Sequence, residues 1–198
     1  IKEINEDLRS NKKMFRILQG DVGSGKTIVS FMTVANVLEV GCQSALMAPT
    51  AILANQHFNL AKKVFDGTKI RIKLLTGKTE TKLRNKILTD LRNGEIDLLI
   101  GTHALFQKKI DFKNLGYIVI DEQHKFGVKQ RMSLADKGGK NCDVLLMSAT
   151  PIPRTMMLTI YGDMDVSRLT EKPKNRLPIL TYSKPEKKID DLIEIIKK

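Results

Sequence analysis

The sequence predicts an α/β fold, a mostly parallel sheet with helices on both faces, and three observations lead there. Short apolar runs alternate with longer amphipathic stretches, the pattern of strands joined by crossover helices. Two runs, Tyr117-Ile118-Val119-Ile120 and Val144-Leu145-Leu146-Met147, are nearly pure hydrophobe, as strands covered on both faces require. One strand-to-helix junction, Gly20-Asp21-Val22-Gly23-Ser24-Gly25-Lys26-Thr27, matches the phosphate-loop pattern G-x-x-x-x-G-K-[ST], which belongs at such a junction.

The elements follow in order. A strand over Met14–Gln19 feeds the glycine-rich loop, and a helix over Lys26–Val40 leaves it. Strand Gln43–Ala48 leads through Pro49 to helix Ile52–Phe65, for which Thr50 is a natural N-cap. Strand Arg71–Leu75 precedes helix Thr79–Arg92; Thr79 with Lys82 lacks a capping-box acid, although Glu80 suits a first turn. Strands Leu98–Gly101, Gly116–Asp121 and Asp143–Ser148 follow, then a helix over Arg154–Ile160.

Composition shifts near Thr170. The segment Glu171-Lys172-Pro173-Lys174-Asn175-Arg176 reads as a linker, and its basic cluster as a solvated one. Beyond it, Pro178–Tyr182 is a candidate strand, and Glu186–Lys198 aligns Ile189, Leu192, Ile193 and Ile196 on one helical face. The expected division is a domain over 1–171, then a linker and the opening of a second domain over 172–198. A start at Ile1 instead of Met points the same way, to a segment of a longer protein.

Composition bounds the rest. A chain of 198 residues with 41% hydrophobic and 28% charged residues buries about 70% of its unfolded surface and needs no disulfide staples. Cys42 and Cys142 lack partners at metal-ligand spacing, so they read as two buried thiols in a reducing, cytoplasmic compartment. Lys, Arg, Asp and Glu are absent between Val40 and Ala61, but Gly41, Gln43, Pro49, Asn55 and Gln56 break the stretch, so no membrane span is expected. Ile1 to Asn5 shows no signal peptide. A net charge of +12 and a pI near 9.7 favour a polyanionic partner. Lys outnumbers Arg 25 to 9, which tempers that inference, because Arg is the commoner fork for phosphates.

The loop carries the chemistry. Glycines 20, 23 and 25 let successive N–H groups face a polyphosphate, and the following helix points the positive end of its dipole at the same anion. The pattern assigns Lys26 to the β/γ-phosphates of ATP and the Thr27 hydroxyl to Mg²⁺. About a hundred residues on, the strand ending in Asp121-Glu122 supplies what a nucleoside triphosphatase lacks: Asp121 for the metal, across from Thr27, and Glu122 as general base.

Asp121-Glu122-Gln123-His124 is a D-E-x-H box, and with Gly20–Thr27 it resembles superfamily 2 helicases and translocases. Ala48-Pro49-Thr50, Ile100-Gly101-Thr102-His103 and Ser148-Ala149-Thr150 resemble that superfamily's motifs Ia, Ib and III, in order. Thr76-Gly77-Lys78, the run Asp121 to Val128, Met147-Ser148-Ala149-Thr150-Pro151-Ile152-Pro153-Arg154-Thr155 and Tyr161-Gly162-Asp163 narrow the resemblance to the RecG family of ATP-dependent DNA helicases. Ser24 and Gln123 favour that family over the transcription-repair coupling factors, whose loop and acid box usually carry Phe and Glu there. A non-catalytic nucleotide-binding module is the third reading.

The RecG resemblance implies a RecA-like first motor lobe using ATP to remodel branched DNA, stalled forks and four-way junctions, in repair and recombination. It implies that Gln123, His124, Ser148 and Thr150 couple nucleotide state to DNA grip, and that Thr50, Gln56, Thr102, His103 and Arg154 lie toward the DNA. A second RecA-like lobe would bring a catalytic arginine, an upstream domain the junction contacts, and a glutamine motif just before Ile1 the adenine contact. Bland readings stand beside these: Thr50 as a cap, Ser148 to Pro151 as a strand exit, Met147, Met156 and Met157 as packing. His57, on a largely apolar helix, reads as a packed surface histidine.

Overall fold

The computed structural model describes residues 1–107, 109–122, 142–150 and 164–171, with isolated positions at 181, 185, 189 and 193. Its elements, in order, are α1 (Lys2–Leu8), β1 (Phe15–Gly20), α2 (Lys26–Glu39), β2 (Gln43–Met47), α3 (Ala51–Val64), β3 (Ile72–Leu75), α4 (Thr81–Asn93) and β4 (Leu98–Gly101). A 3₁₀ turn (His103–Phe106), β5 (Leu115–Ile120), β6 (Asp143–Ser148) and β7 (Asp165–Leu169) complete them. The predicted helix Arg154–Ile160, the Lys172–Arg176 cluster and the elements expected beyond it lie outside the described stretches.

The seven strands form one sheet in the order β3-β4-β2-β5-β6-β1-β7, and every pairing is parallel. Alternation within each strand divides the core. Leu18, Leu46, Tyr117, Val119, Leu145 and Met147 pack on one face with Ile4 of α1, Phe31 and Val34 of α2, and Ala54 and Ala61 of α3. Ile17, Ala45, Met47, Ile118, Ile120, Val144 and Leu146 pack on the other, with Ile87 and Leu91 of α4. One polar pair sits inside the core, Thr33 Oγ1 and the Tyr117 hydroxyl 3.0 Å apart, and burial drives the Tyr117 phenol well above its ordinary pKa. Cys42 and Cys142 are both free, and burial pushes the Cys142 thiol up to about 12, which keeps it protonated and inert. Among the described residues no helix is long and apolar enough to cross a membrane.

Two elements depart from expectation. Helix α1 is one polar, uncapped pair of turns whose buried residue is Ile4. Strand β7 is a short edge strand with only Ser167 buried. Both are held by Arg16, a β1 residue only 8% exposed. Its Nε donates to Asp7 Oδ2 at 2.6 Å and its Nη1 to Ser167 Oγ at 3.0 Å, with Glu3 and Asp165 at 3.5 and 3.8 Å. Ser167 in turn donates to Glu3. A buried guanidinium needs this ring of acceptors; the acids of α1 and β7 supply it, and the two elements dock in consequence.

Helix α4 begins at Thr81, two residues later than expected. The Thr79 hydroxyl accepts the N–H of Thr76 at 3.0 Å, closing the preceding turn instead of capping a helix. Its far end stops at Gly94, whose φ of 76° is a left-handed cap that glycine adopts without strain.

At the amino ends of the strands, Arg71 grips Asp97 through its backbone N–H (2.7 Å), Nε (3.0 Å) and Nη2 (2.7 Å). Burial alone would raise the Asp97 carboxyl, but the Arg71 hydrogen bonds and charge outweigh it and hold the group below its ordinary 3.8. A depressed carboxylate contributes stability above its unfolded pKa and loses it as pH falls through the folded one. The urea midpoint of the parent should therefore exceed that of Asp97→Asn at pH 6, and the gap should close progressively below about pH 4.

Candidate nucleotide-binding site

Parallel strands end together, so their loops share one rim. Gly20 closes β1, Ala48 follows β2, Gly101 closes β4, Asp121 follows β5 and Ser148 closes β6. Backbone bonds continue the ladder to this edge, with Ala48 N–H on Gly101 O and Asp121 N–H on Met47 O at 2.9 and 2.8 Å. With strands spaced about 4.8 Å apart, β1 and β5 stand about 10 Å from each other with β6 between them.

The glycine-rich loop has the form expected of it. Gly25 sits at φ 93° as the residue before α2, with no side chain capping the helix, so the first amides of α2 remain open to an anion. Gly23 also has positive φ. The Lys26 ammonium folds over the loop and donates to the carbonyls of Gly20 (2.7 Å) and Asp21 (2.9 Å). Thr27 is half-buried in the first turn of α2. Val22 projects into solvent. Ser24 Oγ and the Gln19 amide nitrogen are buried without a protein partner. Polar atoms of that kind call for a polar ligand.

Gly20 is fixed by steric need. An added Cβ would lie 3.0 Å from Leu169 Cβ and 2.5 Å from Ser24 Oγ, because β7 pairs Leu169 directly with Gly20. A groove of about 510 Å³ opens beside this pairing, lined by Gln19, Gly20, Asp21, Ala149, Arg168, Leu169 and Thr170.

At the tip of β5, Asp121 is 8% exposed. Its Oδ1 accepts the N–H of Glu122 at 2.9 Å, and its Oδ2 lies 2.7 Å from His57 Nε2. Glu122 is half-buried and has φ 49°, the one positive value outside glycine among the described residues. Such strain costs about 1–3 kcal/mol and persists where the surroundings enforce it. No trio of His, Cys, Asp or Glu gathers as a self-sufficient metal cage among the described residues. The donor set fits Mg²⁺ nonetheless, since that ion is ordinarily held by one or two carboxylates together with the substrate's phosphates.

The remaining candidates divide. Thr50 is exposed and caps α3, its hydroxyl accepting the N–H of Leu53 at 3.2 Å. Gln56 and His103 are exposed, and Thr102 is buried. Ser148 is buried, and its hydroxyl meets the carbonyl and hydroxyl of Thr150 at 3.1 Å each, so the Ser-Ala-Thr segment closes on itself next to Gln19, its register partner in β1. Gln123, His124 and Arg154 lie outside the described residues. His57 corrects the sequence reading: it is 7% exposed and bonded to the acid pair. The signal was available, because Ala54, His57 and Ala61 are spaced three and four apart and share the sheet-facing side of α3.

The DEAD/DEAH box helicase family matches residues 2–158. The ATP-dependent DNA helicase RecG of Thermotoga maritima is 48% identical over 195 residues, covering 98% of this chain and 25% of that protein. RecG of Bacillus subtilis is 44% identical over 198 residues, 100% of this chain and 29% of the relative. The chain therefore spans about a quarter of the length of these curated relatives. A solved structure of RecG bound to a three-way DNA junction superposes with a TM-score of 0.84 at 44% identity, over 100% of this chain and 26% of that one. The Hef helicase domain of Pyrococcus furiosus gives 0.63 at 19% identity, over 85% of this chain and 38% of that one, a likeness of fold.

Gly20→Ala is expected to displace the phosphate loop or β7, at a cost of about 1–3 kcal/mol in unfolding free energy, with weaker nucleotide binding by titration.

Proposed function

The chain belongs to the DEAD/DEAH box helicase family, and from that premise we infer that it is the first motor lobe of an ATP-driven DNA helicase of the RecG kind. Residues 1–171 form the ATP-binding lobe in this proposal, and 172–198 lead toward a second one. The observation that carries the reading is that Gly20 ends β1 and Asp121 directly follows β5, two strand positions apart on the same rim of one parallel sheet. A triphosphate held by the loop and a metal held by the acid could then share a single site.

The roles follow from the groups. The open amides of α2 and the loop bind the phosphates of ATP, and the Lys26 ammonium, already held within the loop, balances their charge. Thr27 and Asp121 would hold Mg²⁺, which stabilises charge developing on the phosphates. Glu122, fixed beside Asp121, takes a proton from the attacking water. Ser148 and Thr150, one strand from the acids, are suited to register changes at the loop through Gln19, and Gln123 and His124 complete the coupling set. A second lobe supplies the transition-state arginine. DNA would be met by the exposed Thr50, Gln56 and His103, with buried Thr102 holding the backbone next to His103, Arg154 assigned to DNA by the family resemblance, and an upstream domain for the junction. The structure of RecG on a three-way junction supports branched DNA as the substrate class, and two free thiols suit a reducing cytoplasm.

In the complete polypeptide carrying this lobe, Lys26→Ala should abolish nucleotide binding and ATPase together. Glu122→Gln should keep nucleotide binding while turnover falls about 10²–10⁴-fold; intact turnover in that variant would remove Glu122 as the base. The lobe alone, lacking the arginine, should turn over about 10³–10⁵-fold more slowly than the complete motor.

DNA affinity should be independent of base sequence. It should fall linearly in log–log plots against salt, with a slope of about −0.9 per phosphate neutralised.

A further inference from the structure

One buried polar contact is not used by the mechanism above. His57 Nε2 and Asp121 Oδ2 lie 2.7 Å apart, on residues 7% and 8% exposed. An ionised carboxylate only accepts, which assigns the proton to Nε2. Together with the Glu122 N–H on Oδ1, this gives each carboxylate oxygen its own donor. The terminal torsion of an aspartate is broad when unrestrained, and two donors on opposite oxygens fix its plane. The second of those bonds also clasps Glu122, whose left-handed backbone needs such support. The small residues Ala54 and Ala61, both fully buried one turn to either side of His57, bring α3 close enough to the sheet for the imidazole to reach β5.

We propose that His57 is a positioning residue for the magnesium-binding acid pair: it locks the Asp121 carboxylate in one orientation and, through it, keeps Glu122 aimed. The role rests on the reading of Asp121 as a metal ligand. A histidine that merely filled space between helix and sheet would be replaceable by a similar apolar side chain; a positioning residue is replaceable only by another N–H donor. Because Thr50 caps α3 and Gln56 lies on it, His57 also ties the acids to the helix associated with two of the candidate DNA contacts.

The test uses the complete polypeptide and a fluorescent ADP analogue, titrated with and without Mg²⁺. In His57→Leu, the Mg²⁺ concentration giving half-maximal tight binding should rise about 10–100-fold, while binding in excess chelator stays at the parent value. His57→Gln, which retains an N–H donor, should return the Mg²⁺ requirement close to that of the parent. In an Asp121→Asn background, His57→Leu should add no further loss, because its effect runs through that carboxylate. If the leucine variant does not fold by thermal melting, His57→Met takes its place. An unchanged Mg²⁺ requirement on losing the donor, a glutamine variant as impaired as leucine, or additive losses in the double variant would overturn the role. A parent that binds the nucleotide without any Mg²⁺ dependence would overturn the metal site itself, and the role with it.

Discussion

A sheet buried on both faces can hold polar chemistry only along its rims. With all seven described strands parallel, the chain leaves each of them at the same edge of the sheet, and each exit needs a loop. Phosphate loop, acid pair and Ser-Ala-Thr turn are neighbours for that reason alone, although about 130 residues separate the first from the last. The apolar interior fixes strand ends to within one pairing step, and the rim inherits that accuracy. Residues with no direct bond to one another, such as Lys26 and Asp121, are thereby set on opposite sides of one intervening strand.

The fold was legible where burial dictated composition. Leu98–Gly101 and Asp143–Ser148 are strands at the bounds that their apolar runs define, and Thr50 caps α3 as its position before the helix implies. Helix α1 and strand β7 were not legible, because neither owes its place to an apolar pattern. Each presents acids or hydroxyls to Arg16, and nothing local distinguishes an acid that meets a buried guanidinium from one in water. Thr79 was misread for a related reason: a hydroxyl two residues ahead of a helix can close a turn or cap the helix, and the choice lies in backbone geometry.

The site divides along the same line. Glycines, lysine and threonine at fixed spacing spell out the loop, since a polyphosphate demands those residue types in that order. The acid pair is equally readable once a strand is seen to end there. What spacing alone did not convey is support from outside the motif: His57 against Asp121, and Leu169 against Gly20, each joined across long stretches of sequence. His57 was half visible in the spacing of Ala54 and Ala61, but its partner belongs to another element, and only the packed sheet brings the two together.

The left-handed backbone of Glu122 has an evolutionary corollary. Glycine or asparagine would sit at that φ more comfortably, so relaxing the position would make the protein sturdier while deleting the base proposed above. Selection for heat resistance alone would favour a relaxed and inert lobe here, whereas selection for turnover would favour the glutamate, so this position sets endurance against work.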